Sequence, residues 1–366
     1  MTPFTVSILR CIFLLLVITD SPRSLCGEEL YSPVSGYLKI QCPGGSDTRV
    51  SAPFHPVAAW SGPLTSAPQM AGGGIIRLAV GLPPEIEVGE FTASPHWALC
   101  RTLSGTAGRH FFITAHNGSS IDVEDAAGDW TGVSAGAQIE VIPAWTLDSL
   151  FPAAQQSTFH LSTGRLAPTR GSELLLFNQV GKGTKLAPSR RFFITSSGWT
   201  SVDAFVAAGN TMIAPGEAFM IRHPAGSAAT EFVASEQVYG EVVRLGFRIS
   251  DGTAQDTTLA PPRPVKVALA ELDLGPGLFE ESGSNLPIDR KDELLVFDNA
   301  ASGLNKTPSG TFFRKAGQWI EDIAGYPVAD LVKIEPSVGL VIRKAAGILD
   351  QTVQWPNEAP YDLDAP

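Results

Sequence analysis

Few residues in this chain have types and spacing that could do chemistry. "GVSAG", residues 132–136, fits the GxSxG pattern of serine hydrolases and makes Ser134 a candidate nucleophile. The pattern works only where a strained strand-to-helix turn lifts the serine hydroxyl toward a histidine. Here the strand-like "AQIEVI" follows, and the aligned stretches "MIAPGEAF" and "KIEPSVGL" carry no serine nucleophile, so Ser134 reads as part of a turn. Asp122, Glu124, Asp125 and Asp129 form an acidic cluster. Calcium favours several carboxylates on one flexible loop. The cluster lacks the glycine-centred order of an EF-hand, and a solvated turn is the competing reading. The histidines, His55, His96, His110, His116, His160 and His223, fall in no metal-binding spacing and read as scattered surface or loop imidazoles. "GKGTK", residues 181–185, is too short for a phosphate loop and reads as a hairpin turn. Trp60, Trp97 and Trp130 could stack on sugars, since an indole offers a flat apolar face with a polar edge. "NGS" at 117–119 matches a glycosylation sequon that overlaps a hairpin turn.

The elements that must carry these residues repeat. "ELLLFN" at 173–178 returns as "ELLVFD" at 293–298, an offset of 120. The same offset joins Phe192 with Phe312, Phe193 with Phe313 and Trp199 with Trp319. It becomes 121 for Pro215 with Pro336, Arg222 with Arg343 and Gly226 with Gly347, as one inserted residue would produce. Recurrence in register marks Trp199 and Trp319 as core. A weaker copy, "RHFFITAHNGSSID" at 109–122, aligns with "RRFFITSSGWTSVD" at an offset of 81. "GYLKIQCPGGSDTRVSAP" and "GEVVRLGFRISDGTAQDTTLAP" share a strand, a glycine turn and an Asp-Thr ahead of the units. Each unit reads as strands joined by Gly or Asn turns, which tolerate positive φ. Helix signals are thin, with "DSLFPAAQQ" and "DAFVAAG" each allowing a turn or two. The fold class expected is all-β: repeated small antiparallel β-sandwich or barrel-like units with short helical turns. The 36 glycines and 28 prolines, spread along the chain, favour the same outcome.

Arg10, the apolar run "CIFLLLVI" and the small residues up to "SLCGEE" have the order of a secretory signal, here taken as residues 1–26. The apolar run is too short for a stable membrane span. Once that segment is removed, Cys42 and Cys100 remain. An oxidising destination would let them form a disulfide worth about 4 kcal/mol in the chain-entropy model; two buried free thiols are the alternative. The expected organisation is a β-rich region at 36–235 holding units at 96–145 and 171–226, then a β-rich region at 238–350 holding a unit at 291–347, then a disordered acidic tail at 351–366. The formal net charge of −11 and the absence of a basic run weigh against nucleic acid as a partner.

The order "GYLKI…GSDTRVSAPF", "IPAWTLDSLFP", "ELLLFN…RRFFIT…GW", "PGEAFMIR" resembles an uncharacterised family of exported bacterial proteins that occurs as many paralogues in verrucomicrobial-type genomes. The resemblance implies export and a shared fold, and no activity. The stretch from "EVVRLGF" to "GLVIRKAAG" departs from it as an additional partial copy. The function expected is that of an exported structural or interaction protein, periplasmic, cell-surface or extracellular, with an extracellular protein or glycan as partner and no call for a cofactor. Carbohydrate binding through exposed tryptophans is the second reading. A hydrolase is the third, and no convergent acid and base residues support it.

Overall fold

The computed structural model describes residues 34–101, 106–125, 130–179 and 181–361. The expected signal segment lies outside them. The described residues are mostly β, with strands paired antiparallel and two one-turn α-helices among them. No helix among the described residues is long and apolar enough to cross a membrane.

Three sheets carry most of the structure. The middle sheet runs in the order Asp47–Val50, Phe219–Arg222, Glu173–Phe177, Pro188–Thr195, Gly198–Ser201. The last sheet runs Gln255–Leu259, Leu340–Lys344, Glu293–Val296, Gly310–Lys315, Gln318–Glu321. Both thus have a lead strand, a closing strand, a first strand and a hairpin. A seven-stranded sheet lies between residues 60 and 143 in the chain, in the connection from Phe54–His55 to Trp145–Thr146. Its first five strands have the same order: Trp60–Pro63, Gln138–Pro143, His96–Cys100, His110–Asn117, Ser120–Glu124. Registers agree as well. Leu174 faces Phe192 and Ile221; Leu294 faces Phe312 and Ile342; Ala98 faces Phe111 and Val141.

Alternation along the strands explains which face is core. Leu174, Leu176, Phe192 and Trp199 pack into one hydrophobic cluster, and Leu294, Phe312 and Trp319 into another. Each large apolar side chain so buried stabilises the fold by roughly 2–3 kcal/mol. The tight hairpin at Ala316-Gly317 has φ of 50° and 82°, both positive, as a two-residue turn that matches strand twist requires. The short helical turn Leu147–Leu150 has a capping box, Thr146 accepting from the Ser149 amide and Ser149 from the Thr146 amide. "DAFVAAG" forms no helix: Phe205 has φ of 55°, and the segment is a turn.

The disordered tail expected at 351–366 is corrected over its first part; 362–366 lie outside the described residues. Gln351–Asn357 is a strand paired with Val243–Ile249, and Trp355 is fully buried, its Nε1 donating to the Leu272 carbonyl at 2.7 Å. It parallels Thr230–Val238, which pairs with Ser35–Cys42 beside the middle sheet. Burial of Trp355 outweighs the cost of ordering a polar, proline-bearing segment.

Candidate functional site

The faces of the middle and last sheets that point away from their cores share one cleft of about 680 Å³. Phe177 and Met220 of the middle sheet and Leu295, Phe297 and Val341 of the last supply its apolar lining. Its geometry is set by reciprocal contacts. The loop after Glu173–Phe177 crosses to the last sheet, where the Lys185 amide donates to Asp256 at 2.7 Å and the Gly183 carbonyl accepts from the Asp256 amide at 3.0 Å. The matching loop of the last sheet crosses back. The Asn305 amide donates to Asp47 at 2.6 Å and the Gly303 carbonyl accepts from the Asp47 amide at 3.0 Å. Lys185 and Asn305 hold the same left-handed backbone, φ 55° and 52°. Two further bridges, Val50 with Val338 and Glu217 with Leu259, repeat the exchange. Such an interface has the form of an isologous dimer contact, here within one chain. "GKGTK", expected as a hairpin turn, does lie in the connection between the paired strands Glu173–Phe177 and Pro188–Thr195, and the same loop crosses to the last sheet.

Cations and carboxylates are placed by the same register. Arg222 faces both Glu173 and Asp47 across strand pairs, and donates to Asp47 from two nitrogens at 2.7 and 2.8 Å. Arg343 does the same to Asp256 at 2.7 and 3.0 Å, and reaches Glu293 at 3.2 Å. These carboxylate bonds raise both guanidinium pKa values against the opposing effect of burial. In the inserted sheet the positions of Glu173 and Arg222 are held by Trp97 and Ile142, so no ion pair forms there. Arg49, on the middle lead strand, differs. It lines the cleft with its guanidinium carbon 3.8 Å from the Phe297 ring centroid and 4.7 Å from that of Phe177, and has no carboxylate in ion-pair range among the described residues. Burial lowers its pKa to about 10.

The other residues singled out from sequence as candidates for chemistry lie elsewhere. Ser134 is exposed in a turn, its hydroxyl donating to the Ala135 carbonyl at 3.4 Å, with no histidine bonded to it. In the acidic cluster, Asp122 accepts two bonds from Arg77 at 2.7 Å, and Asp125 accepts from Trp130 at 3.0 Å and pairs with Arg109 at 3.1 Å. Glu124 is exposed on its strand, and Asp129 lies outside the described residues. No group of three or more His, Cys, Asp or Glu side chains is placed to hold a metal ion among the described residues. Trp130 is buried against Phe111, ring centroids 4.4 Å apart, and offers no free face. Trp97 packs edge-on to Phe112 at 5.8 Å with its Nε1 buried. Trp60 lies over Gly62 on an edge strand and stays partly exposed.

The expected disulfide is corrected. Cys42 and Cys100 are free, buried thiols in two separate hydrophobic clusters, those of the middle and inserted sheets. Burial pushes the Cys42 thiol up to about 11. The surface reading of the histidines is also corrected: His55, His96, His116 and His223 are buried, and both ring nitrogens of His110 are shut off from solvent. Sequence reasoning missed a Ser–His contact. Ser172 and His223 share a 2.6 Å hydrogen bond, and Nε2 of His223 shares another with Thr230 at 2.7 Å. Both residues are fully buried and the ring is bonded at both ends, so the pair is closed to a substrate. Arg49 was missed too; a lone basic residue in an ordinary strand carries no motif.

No protein-family model matches the chain, and no curated protein or solved structure matches it significantly.

Proposed function

We propose that this chain is an exported interaction protein, built by duplication of one β-unit, and that the cleft between its middle and last sheets is its ligand site. What supports duplication is the common strand order of three sheets together with the sequence offsets of 120, 121 and 81. What supports binding over catalysis is one observation: the cleft is walled by two sheets locked through reciprocal backbone bonds, and its carboxylates, Asp256, Glu293 and Asp322, are paired with arginines instead of set as a base beside a nucleophile. A preformed cleft binds without the cost of ordering its walls. The experiment is a glycan array and pull-down with the intact protein, followed by hydrogen exchange on whatever is captured. Protection is expected in 177–188 and 297–308. Protection confined to other segments, or turnover of the captured ligand, refutes the reading.

Sugar stacking on an exposed tryptophan retains Trp60, whose ring lies along its strand with part of its surface open. Glycan-array signal lost in Trp60→Ala, with the cleft unprotected, would favour it.

A further inference from the structure

Resting on that reading of the cleft, we propose that its ligand is an organic monoanion, a carboxylate on an apolar body, with Arg49 as the counter-charge. Two observations and one piece of chemistry meet there. The Arg49 guanidinium lies over the rings of Phe177 and Phe297, which fixes its plane while stripping water from it. The other two arginines at the cleft are committed to Asp47 and Asp256, each through two bonds, whereas Arg49 keeps its five donors without a carboxylate among the described residues. A planar guanidinium fork matches a carboxylate in bidentate geometry.

The surroundings decide the charge and the body of the ligand. Asp256, Glu293 and Asp322 also line the cleft, each already paired with an arginine, Arg343 for the first two and Arg290 for the third. Lys185 and Lys306 add positive charge at the rim, the Lys306 ammonium donating to the Asp298 carbonyl at 3.0 Å. One carboxylate is therefore matched at Arg49, the cleft arginine that has no carboxylate partner among the described residues, and the apolar lining disfavours an anion that is polar all round. The apolar residues Met220, Leu295 and Val341, with the two phenylalanines, leave room and contact for a hydrocarbon or aromatic part. Burial has already lowered the Arg49 pKa to about 10, so the side chain stays charged at neutral pH while poorly hydrated, and an anion entering the cleft removes little further water from it.

The test uses sodium benzoate, benzyl alcohol and inorganic phosphate as probes on the intact protein, followed by amide chemical shifts and titration. Benzoate is expected to shift cleft amides in 177–188 and 297–308, and to bind about tenfold more tightly than benzyl alcohol or phosphate. Arg49→Gln should abolish the preference for benzoate over the alcohol; Arg49→Lys, which keeps the charge and loses the fork, should retain part of it. Benzyl alcohol binding in the cleft as tightly as benzoate overturns the anion assignment and leaves the cleft as a binding site. Phosphate binding more tightly than benzoate overturns the monoanion class. Benzoate binding unchanged in a folded Arg49→Gln overturns the role of Arg49. No cleft shift from any probe overturns both the proposal and the reading beneath it. The three-probe comparison on the unmutated protein stands even if the variant does not fold.

Discussion

Position 223 holds a histidine where the last sheet, 121 residues on, holds Lys344; Ser172 likewise matches Asp292, 120 residues on. The first pair shares a neutral hydrogen bond, and the second is a buried ion pair. Burial drives the His223 pKa down to about 4, below the usual value of about 6.5. Between those values the unfolded chain binds more protons than the folded one. Stability from a neutral His223 is therefore complete above pH 6.5 and lost as pH falls toward 4. His110, pushed down to about 3, adds a loss of the same sign that continues to lower pH. Urea midpoints should decline steadily from pH 7 to pH 4; a flat profile would contradict the buried neutral imidazoles. His223→Lys alone places an ammonium beside a serine and should cost about 3 kcal/mol, most of it recovered when Ser172→Asp is added. Ser134→Ala should change stability by less than about 0.5 kcal/mol, as exposed substitutions do. A fluorophosphonate probe should leave Ser134 unlabelled; labelling there would restore the hydrolase reading.

The lead strands of the middle and last sheets depend on one aspartate each. Asp47 accepts from Arg222 and from the Asn305 amide, and Asp256 from Arg343 and from the Lys185 amide. Asp47→Ala and Asp256→Ala should each cost about 3 kcal/mol, by stranding a guanidinium and a backbone donor together. Chemical denaturation checks this, and a cost near zero for either would mean that its crossing loop is held by other contacts. The strands around these residues were legible because Phe192, Phe312, Trp199 and Trp319 repeat at one offset, which only a shared register preserves. Gln351–Asn357 was missed because Pro356 and the acids after it look like a tail; extending the offset of 121 from Thr230 lands on Gln351. The disulfide failed because an even count of cysteines does not say which core each enters. The cleft was invisible because its lining alternates with core residues on strands far apart in sequence, and because nothing in "GKGTK" tells a local turn from a loop that bonds another sheet.

At the scale of the molecule, the middle and last sheets complete each other. A fragment ending near residue 240 would expose Leu175, Phe177 and Met220 and leave the outer edge of Asp47–Val50 without the loop that covers it. Such an edge beside an apolar face recruits other chains. That fragment should self-associate in sedimentation experiments, whereas the intact chain should not do so through this face; a stable monomeric fragment would count against the reciprocal interface. The crossing loops also set a timetable. Asp47 emerges from the ribosome 258 residues before Asn305, the residue whose amide closes on it. At synthesis rates of about 5–20 residues per second, the first lead strand waits roughly 10–50 s for its covering. During that interval the Asp47 amide and carboxylate are left to water where Gly303 and Asn305 will bond them. Closure of the first lead strand is thus set by the synthesis of the last sheet and not by any step within the middle sheet.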